Sequence, residues 1–127
     1  FNHGYTYSGH PVACAAGMAT LDIYEEEKLF QRADQLENVW LDGLMSFQGE
    51  PNVIDARGIP LIGAIELAPR DGAPMQRGTE VSRRCYQKGA WVRTIGDIVV
   101  LSPPLIVSEE QVSEILEIIR ASIREVD

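Results

Sequence analysis

Ahead of an apolar run, Gly4-Tyr5-Thr6-Tyr7-Ser8-Gly9 sets four hydroxyl side chains between two glycines. Hydroxyls, a permissive backbone and free amide N–H groups at the start of a helix form a combination that can hold a phosphate. The same residues also suit a plain helix entry, in which Ser8 or Thr6 caps the helix and the tyrosines pack. Read from its neighbours alone, Arg93 is an ordinary surface arginine at a strand end. His3 and His10 have no carboxylate or serine at a spacing that marks acid–base or nucleophilic catalysis, and they read as loop and helix-entry contacts. Lys28 and Lys88, the only lysines, sit in polar helical surroundings, not in an apolar pocket that would lower a lysine pKa for covalent chemistry. Glu25-Glu26-Glu27 reads as a solvated charge run at a helix junction. Cys14 and Cys85 have no CxxC or histidine-paired spacing, so no metal site is expected, and both read as free thiols of a reducing, cytoplasmic compartment.

Several elements must position these residues. Pro11 suits a first helical turn, and residues 12–24 are apolar on nearly every face, which predicts a helix buried at its start. From Leu29, the residues Phe30, Ala33, Leu36, Trp40 and Leu44 recur at three- and four-residue steps, predicting one amphipathic helix over a core. Gly49-Glu50-Pro51-Asn52 marks a turn. Residues 53–56 and 61–67 are β-rich and read as two strands joined through Arg57-Gly58-Ile59-Pro60. Residues 79–88 fit a short helix stopped by Gly89, and residues 91–93 and 98–101 fit two strands turning at Gly96-Asp97. Pro103-Pro104 ends the second ladder. Ser108 and Gln111 form a capping-box pattern, after which Val112, Ile115, Leu116, Ile119, Ile123 and Val126 mark one face of a last helix. This order predicts an α+β fold, with helices packed on a small, mostly antiparallel sheet. The all-round apolar first helix asks for more cover than that sheet offers. Residues 1–27 are therefore expected to belong to, or link from, a larger domain, and residues 28–127 to form a small C-terminal domain.

The run His3-Gly4-Tyr5-Thr6-Tyr7-Ser8-Gly9-His10-Pro11 resembles the C-terminal part of class III, pyridoxal-phosphate-dependent aminotransferases. The similarity continues through Pro11-Val12-Ala13-Cys14 to Asp22-Ile23-Tyr24 and resumes at Gly58-Ile59-Pro60-Leu61-Ile62-Gly63-Ala64-Ile65-Glu66-Leu67, being looser over residues 25–52. A second motif, Val92-Arg93-Thr94-Ile95-Gly96-Asp97-Ile98-Val99-Val100-Leu101-Ser102-Pro103-Pro104-Leu105, is similar to the substrate-side segment of ω-amino acid:pyruvate transaminases. The resemblance implies the C-terminal domain of a fold type I enzyme that moves an amino group from an amine or ω-amino acid such as β-alanine to a keto acid such as pyruvate. It implies that Thr6, helped by the backbone N–H groups of Tyr5 and Thr6, binds the phosphate of pyridoxal 5'-phosphate in a neighbouring subunit. It further implies that Arg93 holds the substrate carboxylate, a task that suits a guanidinium fork. The family's Schiff-base lysine and the aspartate paired with the pyridine nitrogen lie upstream of the motifs seen here. No catalytic residue is therefore expected in this chain, and the stretch by itself is expected to be inactive. The implied partners are small amines, amino acids and keto acids, and further copies in a homodimer or higher homo-oligomer. Relatives of this architecture use glutamate or ornithine, or act as aminomutases.

Composition narrows the alternatives. A chain of 127 residues that is 45% hydrophobic is long enough for one domain with a core. Nineteen acidic against eleven basic residues give a net charge of -8, which repels phosphate backbones and anionic lipid, so nucleic acid and membranes are not expected partners. No apolar stretch approaches the roughly 20 residues needed to span a bilayer. The sequence opens on Phe1 with no signal-peptide pattern, so it is expected to begin within a longer protein. A non-catalytic α+β module that binds a small anion or a protein partner is the competing reading, in which the glycine-flanked loop is only a helix entry.

Overall fold

The computed structural model describes residues 4–126; His3 lies outside them. In chain order the elements are α1 (Pro11–Glu26), α2 (Leu29–Gln35), α3 (Glu37–Met45), β1 (Val53–Ile59), β2 (Ile62–Leu67), α4 (Gln76–Gln87), β3 (Arg93–Ile95), β4 (Ile98–Leu101) and α5 (Glu109–Arg124). The four strands form one antiparallel sheet in the order β1-β2-β4-β3, the expected α+β arrangement.

The helix expected from Leu29 onward is two helices. Leu36 closes α2 and opens α3, its N–H shared between the carbonyls of Arg32 and Ala33 at 3.2 Å each. This tight turn lets Leu29, Ala33, Leu36, Trp40 and Leu44 all reach the interior. Phe30, expected on the same face, is exposed and meets Tyr24 of α1 edge-on at 5.2 Å. The strand pair is also tighter than expected, because β1 continues to Ile59 and turns through Pro60 and a left-handed Leu61 into β2.

Residues directly opposite in an antiparallel ladder share a face. Ala56, Ile65 and Val99 are therefore on one side of the sheet, buried beneath α3 and α4 with α5 packed on both helices. Arg57, Ala64, Val100 and Arg93 form a row across all four strands on the opposite side. Period-two alternation thus places the core on one face and both arginines on the other.

The capping box expected at Ser108 is present, with Gln111 N–H donating to Ser108 Oγ and Ser108 N–H to Gln111 Oε1. At the far end of α5, Arg124 donates two hydrogen bonds to the Glu50 carboxylate, both 2.7 Å, and Arg120 donates one of 2.5 Å while its guanidinium lies over Phe47. The Arg124 bonds are the main reason that the Glu50 pKa falls from 4.5 to about 2, burial opposing them and Arg120 adding to them. A carboxylate with a depressed folded pKa stabilises the fold above its unfolded value, and that contribution is lost as pH falls through the folded one. The clamp is thus complete above about 4.5 and gone below about 2. Glu50→Gln is expected to lower stability at neutral pH by about 1–2 kcal/mol, a figure kept small because Arg124 is largely exposed. It should also flatten the acid side of the stability curve measured by urea unfolding. An unchanged acid slope would show that the clamp contributes nothing.

The exception to this packing is α1. It has no buried residue, and its main neighbour is α2, from which Lys28 in a left-handed conformation (φ 52°) separates it. The burial expected of this helix is not supplied by the described residues, because α3, α4 and α5 already occupy the covered face of the sheet.

Candidate functional site

Arg93 opens β3, opposite Val100 of β4, on the face of the sheet that the helices leave free. Arg93 also borders a cleft of about 340 Å³ lined by Trp40 of α3, Ile115 of α5, Trp91, Val100, Ser102, Pro103 and Pro104. The sequence accounts for this shape. Pro103 and Pro104 stop β4 from pairing further, and Trp91, expected within the strand, instead precedes it and is 90% exposed.

Most of the other arginines are engaged. Arg57 pairs with Asp55 and Glu66, Arg70 and Arg84 with Glu80, and Arg120 and Arg124 with Glu50. Arg32 donates to the carbonyl of Val107 and Arg77 to that of Ala68. Arg93 has no ion pair or hydrogen bond with any described residue, a state it shares only with Arg83. An exposed arginine on the border of a cleft, with no internal carboxylate, is suited to a carboxylate brought from outside.

The second candidate lies on the N-terminal arm. Ser8 N–H donates to the carbonyl of Tyr5 at 3.0 Å, Tyr5 N–H donates to Ser8 Oγ at 3.2 Å, and Gly9 takes a left-handed φ of 75°. His10 is the N-cap of α1, and no side chain caps that helix, so neither Ser8 nor Thr6 is its cap. Tyr5 and Tyr7 are exposed, the Tyr7 ring lying tilted to that of His10 at 6.4 Å. Thr6 is exposed and has no partner among the described residues. Its hydroxyl and N–H therefore stand open next to a helix start with no acidic residue in its first turn, which suits a phosphate. The Tyr5 N–H would first have to leave Ser8 Oγ. The fold does not bring Thr6 to Arg93, because the arm does not return to the sheet.

Neither lysine occupies an apolar pocket. Lys28 is exposed at the α1–α2 junction, and Lys88 is exposed and pairs with Glu125 at 2.9 Å. Cys14 is exposed and Cys85 buried, both free, and burial pushes the Cys85 thiol up. Among the described residues no cluster of His, Cys, Asp or Glu could hold a metal ion, and no helix is long and apolar enough to cross a membrane.

Sequence reasoning missed Asp97. It reads there only as half of a turn, yet its carboxylate accepts N–H bonds from Met75 and Gly78, each 2.8 Å. No spacing rule links positions some twenty residues apart, and the only clue is the absence of a capping residue before α4.

A family model described as aminotransferase class-III matches residues 1–123. An omega-aminotransferase from Caulobacter vibrioides is 47% identical over 125 residues, covering 98% of this chain and 28% of that protein. A beta-alanine–pyruvate aminotransferase from Pseudomonas aeruginosa is 44% identical over 117 residues, covering 92% of this chain and 26% of its own length. Among solved structures, an amine transaminase from an uncultivated Pseudomonas species, in its PLP-bound form, superposes with a TM-score of 0.86 at 32% identity, over 98% of this chain and 30% of that one. The chain thus spans under a third of the length of these relatives.

Proposed function

Since this chain belongs to the class III aminotransferases, we propose that it is the C-terminal part of a pyridoxal-phosphate-dependent transaminase that passes an amino group from an amine or ω-amino acid to a keto acid such as pyruvate. The observation that carries the substrate side is Arg93, an exposed arginine on the border of a cleft, with no ion pair among the described residues. Similarity to a beta-alanine–pyruvate aminotransferase and to an omega-aminotransferase supports the same choice.

On this reading residues 28–127 are the small domain, since the first buried side chain is Leu29 and the core cluster begins at Ala33, and residues 1–27 belong with a larger one. A homodimer or higher oligomer and a cytoplasmic location belong to the same reading, the arm serving the neighbouring subunit.

The residues present fit the cofactor at its phosphate end, where Thr6 offers an open hydroxyl and N–H beside a helix start free of acids. When bound, the cofactor supplies the carbonyl carbon and the electron-withdrawing ring on which the amino group changes carriers. Thr6 would donate to the phosphate and anchor it. Arg93 would pair with both oxygens of a substrate carboxylate, leaving the amine end free to face the reacting carbon. Trp91, Pro103 and Pro104 would flank the substrate along the cleft.

Lys28 and Lys88 have no part in this scheme, and the lysine that moves protons lies outside residues 1–127. Borohydride treatment of the cofactor-loaded full-length protein should fix the cofactor to a peptide outside these residues, read by mass spectrometry. Before reduction, the same protein should form alanine from pyruvate with β-alanine or a simple amine as donor. Label on Lys28 or Lys88, or no alanine with any donor, would overturn the reading.

A further inference from the structure

The tip of the β3–β4 hairpin is fastened to α4 by a side chain. Asp97 Oδ2 accepts from Met75 N–H and Oδ1 from Gly78 N–H. No local side chain caps α4, and Met75 at its N-cap sits at φ 70°. Asp97 therefore supplies from the hairpin the cap that a neighbouring serine or aspartate ordinarily gives. The seat is close, since a Cβ on Gly78 would stand 2.3 Å from the Gly96 carbonyl oxygen and 2.9 Å from the Asp97 Cα. The Asp97 carbonyl also accepts from Leu67 N–H at 2.9 Å, joining the tip to β2. At the other end of the hairpin, Ser82 Oγ donates to the carbonyl of Val92, next to Arg93, at 3.1 Å.

β3 is three residues long and pairs with β4 alone. So short an edge strand is poorly fixed by its ladder, and side-chain ties set where it lies. We propose that Asp97, assisted by Ser82, is a positioning residue for the transamination substrate: by strapping the hairpin to α4 at both ends it holds the Arg93 guanidinium where a carboxylate can meet it on both prongs. The inference rests on the substrate role assigned to Arg93. Arg93 is three residues, about 10 Å, along the strand from Gly96 at the tip, so freeing the tip tilts the base of the side chain, and small misplacements of a binding group cost disproportionately.

The test uses the full-length, cofactor-loaded protein with pyruvate as acceptor. Asp97→Asn keeps the shape but turns one accepting oxygen into a donor that faces an N–H, which breaks at least one tie. It should raise KM for pyruvate about tenfold and change kcat by less than about threefold. In an Arg93→Ala background the same substitution should add no more than about twofold, because the group that it positions is gone. Ser82→Ala, which removes only the tie next to Arg93, should move KM the same way by a smaller factor, and it carries the test if Asp97→Asn does not fold. If Arg93→Ala raises KM but neither tie variant does, or if they lower kcat alike in both backgrounds, Asp97 is merely structural and the proposal fails. If Arg93→Ala itself leaves KM for pyruvate unmoved, the reading of Arg93 fails and takes this one with it.

Discussion

Replacing Arg93 with alanine in the full-length protein is expected to cut turnover efficiency toward pyruvate and β-alanine some thirtyfold or more. Removing one partner of a desolvated charged pair costs about 2–5 kcal/mol, and each 1.4 kcal/mol is about tenfold. The guanidinium has no described partner within its own chain, so the loss falls on the substrate and not on the fold. The effect should be selective. A simple amine has no carboxylate, so its half-reaction, followed by the absorbance of the bound cofactor without keto acid, should fall by only a few-fold. Arg93→Lys should restore part of the lost efficiency, since an ammonium keeps the charge but not the two-pronged geometry. Equal losses for amines and carboxylates would assign Arg93 a structural role instead.

The second large effect concerns Thr6. Its hydroxyl, open in this chain, would donate to a charged phosphate, a bond worth about 1.5–3 kcal/mol. Thr6→Ala should therefore weaken cofactor retention by roughly tenfold to a hundredfold, read as faster loss on dialysis. The arm carrying Thr6 does not fold back on its own sheet, so the loss should follow the subunit that lends the loop. Mixed dimers decide this, with Thr6→Ala in one subunit and the catalytic lysine replaced in the other. Indifference to which subunit carries which change would rule out an anchor that crosses the interface.

How far the sequence reached depends on the range of the forces involved. The capping box at Ser108, the stop at Pro103-Pro104 and the turn at Gly96-Asp97 are local, and all three are where the pattern put them. The last helix is legible for the same reason, since its apolar positions repeat along one face. The start of α4 is not. It begins at Gln76 rather than at Thr79 because Asp97 caps it from across the fold and Gly78 fits against the Gly96 carbonyl. The break at Leu36 likewise follows from what the two halves pack against, not from any helix-breaking residue. For the candidate site, the identities of Thr6, Tyr5 and Arg93 came from motif resemblance. Composition and periodicity left Arg93 an ordinary surface arginine, because an unpaired guanidinium beside a cleft is recognised only once every carboxylate near it has been placed.

The isolation of Arg93 has a bearing on how such a protein can change over generations. Its side chain contributes nothing to the buried cluster or to any described ion pair, so exchanging it leaves the stability margin of the fold nearly untouched. Most substitutions that alter specificity are constrained because they also consume stability. Here the two quantities are separable: a lineage could lose and regain its liking for acidic substrates through single changes at one edge-strand position while Asp97 and α4 keep the backbone beneath it unchanged.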